Sequence, residues 1–192
     1  MLLEPYILQF HGVLNLKTVS TFIRYAHTRE YENAGVGSDN RVIPTMRKVS
    51  RFSLRNDVTS LTDCHWANFL NHRITNCMNA YLKHFDATKY TLNIRSVNQL
   101  DLLKYEVTNH YDFHVDAGTE FHRTLSAILF LNNDYKGGNL YFKDLNNKDT
   151  LKIEPYPGRL VVWPSNFLFP HSVEPVSEGI RYWLLLLQWS LR

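Results

Sequence analysis

From about residue 92 onward the sequence is a succession of short apolar segments, broken by turn residues about every 8 to 15 positions. The segments NQLDLLKYEV, HYDFHVD, RTLSAILFLN, GNLYFKD, TLKIEP, GRLVVWP, HSVEPV and IRYWLLLLQWS are each of strand length. DAGT, NNDYKGG, NNKD, PYPG and SEG supply the turn residues between them. Parallel strands need crossovers of a dozen or more residues, usually helical, and no such stretch lies between these segments. The pattern therefore predicts antiparallel sheets closed into a jelly roll, a double-stranded β-helix.

The first 90 residues have a different period. Leu16, Val19, Phe22, Ile23 and Ala26 repeat every three or four positions behind a capping Asn15. A second such run takes in Leu61, Cys64, Ala67, Leu70, Ile74, Cys77, Met78, Tyr81 and Phe85. It opens on Ser60-Leu-Thr-Asp63, a capping-box pattern with Asp in place of Glu. Between the two runs, AGVGSDNRVIPTMRKVSRFSL reads as strand and loop. Its Arg41, Arg47, Lys48, Arg51 and Arg55 form either a solvated edge or a substrate-facing lid. The expected fold class is mainly β with flanking α, the helices packed on the outer face of the jelly roll. At 192 residues one domain is expected, with 1–91 as helical support and substrate side and 92–192 as the jelly-roll core.

A net charge of +3 is too small for the basic footprint of a nucleic-acid binder, and 14% aromatic residues suit a β-rich interior or an aromatic-lined pocket. Cys64 and Cys77 are too few for a disulfide framework. With His65 and His72 they fit no usual zinc spacing, so they read as buried structural thiols. The opening MLLEPYILQFHGVLNL carries Glu4 and Pro5 within its apolar run and does not read as a secretory signal. The longest apolar run, around YWLLLLQW, is sized for a strand and not for a membrane span. The expectation is a cytoplasmic protein with no membrane partner.

His-x-Asp on a strand puts both side chains on one face, and a second His from another strand completes a facial triad with three open metal positions. Three such pairs occur: His84-Phe-Asp86, His110-Tyr-Asp112 and His114-Val-Asp116. The first closes the second helical run and reads as a helix-end histidine followed by a capping aspartate. The other two share one strand and one face, and periodicity does not choose between them.

The surroundings do. KYEVTNHYDFHVDAG, RTLSAILFLNNDYKGGNLYF and PGRLVVWPSNFLFPHSVEPVSEGIRYW together resemble the prolyl 4-hydroxylase-like branch of the Fe(II)/2-oxoglutarate dioxygenases, over about residues 99–190. The family's Tyr-x-x-His-x-Asp falls on Tyr111, His114 and Asp116, followed by its arginine at Arg123. Its Leu-Ser to Leu-Asn strand runs from Leu125-Ser126 to Leu131-Asn132, and its Asp-Tyr-x-Gly-Gly turn from Asp134 to Gly138. Its Pro-Gly-x-Leu step falls on Pro157 to Leu160. The distal His-x-Val falls on His171 and Val173, followed by Pro175, Val176, Gly179 and Arg181.

By this resemblance His114, Asp116 and His171 bind Fe(II), 2-oxoglutarate and O2 are co-substrates, and there is room for ascorbate. Arg181 is the residue expected to hold the distal carboxylate of 2-oxoglutarate, since a planar guanidinium pairs bidentately with a carboxylate. Tyr105 resembles the family's co-substrate-binding tyrosine. A second family tyrosine is replaced by Phe130, and Ser126 is the candidate for the lost donor. Arg123 is either a salt bridge near the metal loop or a substrate contact, and Tyr111 and Trp163 are candidate walls. His110, His122, His65 and His72 are not needed.

The implied activity is oxidative decarboxylation of 2-oxoglutarate coupled to hydroxylation of a C–H bond, with a prolyl or other residue in a peptide or protein as substrate. A free amino acid or other small molecule is one alternative. Oxidative demethylation of nucleic acid is another, although Leu187 stands where those enzymes usually carry a second arginine. A cupin-like binding module would share the jelly roll without a need for Arg181.

Overall fold

The structure, a computed structural model, describes residues 3–36, 41–54, 60–89, 94, 97, 99–118, 123–145 and 150–189. Arg55, His122, Thr119 and the NNKD turn lie outside the described residues. In chain order the elements are β1 (Leu8–Phe10), α1 (Leu16–Ala26), β2 (Glu32–Asn33), β3 (Arg47–Lys48), β4 (Ser50–Ser53), α2 (Leu61–His84), β5 (Gln99–Tyr105) and β6 (His110–His114). They continue with β7 (Arg123–Phe130), β8 (Lys136–Gly137), β9 (Leu140–Lys143), β10 (Thr150–Ile153), β11 (Leu160–Pro164), β12 (His171–Val173), β13 (Val176–Glu178) and β14 (Arg181–Trp189).

Two antiparallel sheets face each other. The larger has the order β1-β11-β7-β14-β5-β4-β2, the smaller β10-β9-β12-β6-β3, and β13 pairs with β8 beside them. Alternation along each strand of the large sheet sends residues to two different cores. Leu102, Leu129, Leu160, Val162, Leu184 and Leu186 point outward and pack with Phe22, Leu70, Ile74 and Met78 of the helices. Leu103, Tyr105, Ile128, Phe130, Val161, Trp163 and Trp183 point inward and pack with Leu140, Phe142 and Val173 of the small sheet. Both faces of β14 are therefore covered, which is why its sequence is a nearly unbroken leucine run with no alternation. The expected jelly roll with outer helices is the fold observed.

Local chemistry sets the element ends. Asn15 accepts a hydrogen bond from the Thr18 backbone and opens α1. Ser60 does the same for α2 through the Asp63 backbone. The expected capping box is only half present: the Asp63 carboxylate instead accepts hydrogen bonds from the Tyr25 hydroxyl at 2.8 Å and from Arg29 at 3.0 Å, tying α2 to α1. His84 is the last residue of α2, and Asp86 takes a positive φ of 53° just beyond it, so this His-x-Asp pair is a helix ending.

Two departures from the expected layout affect the site. HSVEPV is not one strand. It splits at Pro175, whose missing N–H ends the ladder, into β12 of the small sheet and β13 of the side pair. The first 90 residues also give four short strands. β1 pairs with β11, β4 with β5 and β3 with β6, so the N-terminal region extends both sheets.

Candidate metal centre and carboxylate pocket

β6 presents His114, and the turn after it presents Asp116. β12, hydrogen-bonded beside β6 with His171 opposite His114, presents the second histidine. One ligand atom from each of the three lies within 4.8 Å of the others. His114 Nε2 is 3.7 Å from one Asp116 oxygen, and His171 Nε2 is 3.5 Å from the other. The opposite ring nitrogens are engaged elsewhere: His114 Nδ1 donates to the Asp112 carbonyl at 2.8 Å, and His171 Nδ1 donates to the Phe169 carbonyl at 3.1 Å. These two bonds fix the tautomer and leave both Nε2 lone pairs pointing at the shared space. Two imidazoles and a carboxylate converging in this way are a facial triad, and the donor set fits Fe(II).

Electrostatics favour the ligating protonation states. Burial, reinforced by His171, pushes His114 down to about 3 and keeps it neutral. Burial alone raises the Asp116 carboxyl, but His171, His114, the Ser126 hydrogen bond and Arg123 outweigh it and hold the group below the usual carboxylate range. His110 and Asp112, the competing pair, take no part. His110 bonds the Thr108 and Thr45 carbonyls at the surface, and Asp112 is exposed. Of the pairs considered, only 114/116 meets a second histidine among the described residues.

Ser126 is not where its expected role requires. Its hydroxyl donates to Asp116 at 2.6 Å and lies 2.8 Å from the Ser165 hydroxyl, so both of its bonds are spent orienting the metal carboxylate. The reason is register: β7 places Ser126 opposite Trp163 of β11, two residues before Ser165 and so on the same side of the strand, at the metal end of the inner face. Arg123 donates to the Asp116 carbonyl at 2.9 Å and braces the same turn. Tyr111 stacks on His114 with centroids 3.5 Å apart, and the Arg47 guanidinium sits 4.7 Å over Tyr111. Trp163 meets His171 edge-on at 5.0 Å. Arg47 comes from β3, which pairs with β6, and Ser165 comes from a loop. Neither carries a periodicity that sequence reading could have used.

Arg181 opens β14 opposite Tyr105 of β5 and is fully buried. Its guanidinium lies 3.7 Å from the Tyr105 ring centroid and 3.3 Å from that of Trp183, and Nη1 donates to the Gly138 carbonyl. Nε and Nη2 have no hydrogen-bond partner among the described residues. Burial lowers its pKa to about 10, with Tyr105 and Tyr135 opposing, so it stays charged at neutral pH. A buried guanidinium with one edge unpaired is costly until an anion fills it, and a carboxylate matches that edge. Phe130 is fully buried edge-on to Trp183 at 5.0 Å and offers the pocket no hydroxyl.

Residues 100–189 match the family model of the 2OG-Fe(II) oxygenase superfamily. The match runs through the strands from β5 to β14 and takes in His114, Asp116, His171 and Arg181. A 2OG-Fe(II) oxygenase takes Fe(II) and 2-oxoglutarate, and the donor set and the open guanidinium agree with both. The oxygenase is 45% identical over 60 residues to prolyl 3-hydroxylase 1 of Homo sapiens, a stretch covering 31% of this chain and 8% of that protein. It is 38% identical over 84 residues to a PKHD-type hydroxylase of Nitrosomonas europaea, covering 38% of this chain and 35% of the relative. The chain thus spans a small part of the curated relatives' length. Among solved structures, the oxygenase fold superposes on a Pseudomonas putida prolyl-4-hydroxylase with a TM-score of 0.71 at 20% identity, covering 95% of this chain and 92% of that one. It also superposes on a Trichoplax adhaerens prolyl hydroxylase, solved with a hypoxia-inducible-factor peptide fragment, with a TM-score of 0.73 at 16% identity, over 96% and 84% of the two chains. The two solved prolyl hydroxylases thus share this chain's fold.

Proposed function

We propose that the chain is an Fe(II)- and 2-oxoglutarate-dependent dioxygenase that hydroxylates a C–H bond in a peptide or protein, with a prolyl residue as the favoured target. The observation that carries this reading is the presence, between the two sheets, of both the convergent His114–Asp116–His171 donors and the unpaired edge of Arg181. Iron bound there supplies the reactive power, with one oxygen atom of O2 going to the substrate and the other to succinate as 2-oxoglutarate loses carbon dioxide.

The side chains do the rest. His114, Asp116 and His171 hold the metal; Ser126, Ser165 and Arg123 aim Asp116; Arg181, flanked by Tyr105, receives the distal carboxylate. Trp163, Phe142 and Tyr111 keep water from the ligand face. Residues 1–192 act as one catalytic unit, since β1, β3 and β4 are built into the two sheets. Ascorbate serves as an accessory reductant.

Incubation with Fe(II), 2-oxoglutarate and, in parallel, proline-containing peptides, free amino acids and methylated oligonucleotides tests the reading by mass spectrometry. A gain of one oxygen on a peptide prolyl residue is expected. Oxidation of free amino acids alone, or demethylation of oligonucleotides without any peptide oxidation, overturns the substrate assignment.

A further inference from the structure

The pocket around Arg181 contains more unpaired donors than the guanidinium alone. The Tyr135 hydroxyl and the Trp183 indole N–H are also buried without a hydrogen-bond partner among the described residues. Tyr135 belongs to the Asp-Tyr-x-Gly-Gly turn, and the backbone explains why its side chain is held beside Arg181. Asn132 donates to the Asp134 carboxylate and to the Ile180 carbonyl, both at 2.7 Å, and accepts from the Tyr182 N–H at 2.7 Å. The turn is thereby clamped to the start of β14.

Two glycines close the remaining gap. A Cβ on Gly138 would stand 2.9 Å from Val176 and 3.2 Å from Arg181 Nη1. A Cβ on Gly179 would stand 3.2 Å from the Tyr135 Cα, and both glycines have positive φ. Burial raises the Tyr135 pKa while Arg181 and a contact with the Trp183 N–H pull it back, so the phenol stays protonated and remains a donor.

We infer that Tyr135 supplies the phenolic donor missing at Phe130: its hydroxyl donates to the distal carboxylate beside Arg181, with the Trp183 N–H donating to the tyrosine oxygen. Aligned this way, the open edge of Arg181 and the Tyr135 O–H find an acceptor when a C5 dicarboxylate enters, and neither does when a 2-oxo acid without the distal carboxylate enters. Tyr135 is thus a specificity-determining residue for the length and charge of the co-substrate. The inference rests on the 2-oxoglutarate reading above.

The test is equilibrium binding to the Mn(II)-loaded protein under anaerobic conditions by titration calorimetry, with 2-oxoglutarate and pyruvate as ligands and the wild type, Tyr135→Phe, Phe130→Tyr and the double variant as proteins. Tyr135→Phe should weaken 2-oxoglutarate about tenfold, the scale of one lost charge-assisted hydrogen bond. It should leave pyruvate and Mn(II) binding unchanged, and adding Phe130→Tyr should restore most of the loss. Unchanged 2-oxoglutarate affinity in Tyr135→Phe overturns the inference and leaves the functional reading standing, as does an equal loss for pyruvate. If the wild type binds Mn(II) but no 2-oxoglutarate, the functional reading itself falls. Trp183→Phe is the second variant, and a several-fold loss confined to 2-oxoglutarate is expected there too.

Discussion

The two ends of the inner face are finished to different degrees. At the metal end, both histidine Nδ1 atoms, the Asp116 carboxylate and the Ser126 and Ser165 hydroxyls are hydrogen-bonded within the protein, and the Trp163 indole N–H beside His171 is buried without a partner among the described residues. At the anchor end, Arg181 Nε and Nη2, Tyr135 Oη and Trp183 Nε1 are buried without partners among the described residues. The first end is pre-organised: its geometry exists before any ligand arrives. The second is complete only with a ligand in place, and it charges the empty protein the desolvation cost of a guanidinium and two polar groups. Stability should therefore respond strongly to the co-substrate.

That contrast can be broken at either end. Asp116→Ala should have the largest effect, abolishing Fe(II) or Mn(II) binding in a metal titration and 2-oxoglutarate turnover with it. Metal affinity kept at the wild-type level would falsify the ligand assignment. Arg181→Met should cost on the order of 3–5 kcal/mol of 2-oxoglutarate affinity, roughly a few hundred-fold or more, with metal binding preserved. It should also raise the melting temperature of the ligand-free protein, because an unpaired buried charge is gone. A lowered melting temperature would mean that the guanidinium is already satisfied without ligand.

Ser126→Ala gives the smallest change and the opposite pattern. Metal affinity should fall about 10- to 100-fold, and ligand-free stability should drop by about 1–3 kcal/mol as the Asp116 carboxylate and Ser165 lose a partner. The 2-oxoglutarate affinity of the metal-saturated protein should not move. Selective loss of 2-oxoglutarate binding there would return Ser126 to the co-substrate site.

Legibility in the sequence followed the length of the signal. Long periodic runs announced α1, α2 and most strands from β5 onward, but β8 lies within the NNDYKGG segment read as a turn, and β12 and β13 were read as one strand. The strands β1 to β4 have two to four residues each, too few for a period to show. With them went the knowledge that Arg47 is delivered to Tyr111. The choice between His110/Asp112 and His114/Asp116 was invisible to alternation, because both pairs share a face, and came from the spacing of the surrounding motif. Ser126 was read as the replacement donor for the co-substrate, and its hydroxyl instead donates to Asp116. Its partner could not be read, because the register of β7 against β11 is a property of the sheet and not of either strand.

The order of the large sheet has a consequence for biosynthesis. β14, which follows every other described strand in chain order, sits between β7 and β5 and pairs with both. While the chain is still emerging from the ribosome, those two strands have no neighbour on their facing edges, and the helices have only part of a surface to dock on. The nascent chain must hold β5 and β7 apart, unpaired on those edges, until β14 has been made. Arg181 heads that segment, so the co-substrate pocket comes into existence at the same moment as the sheet.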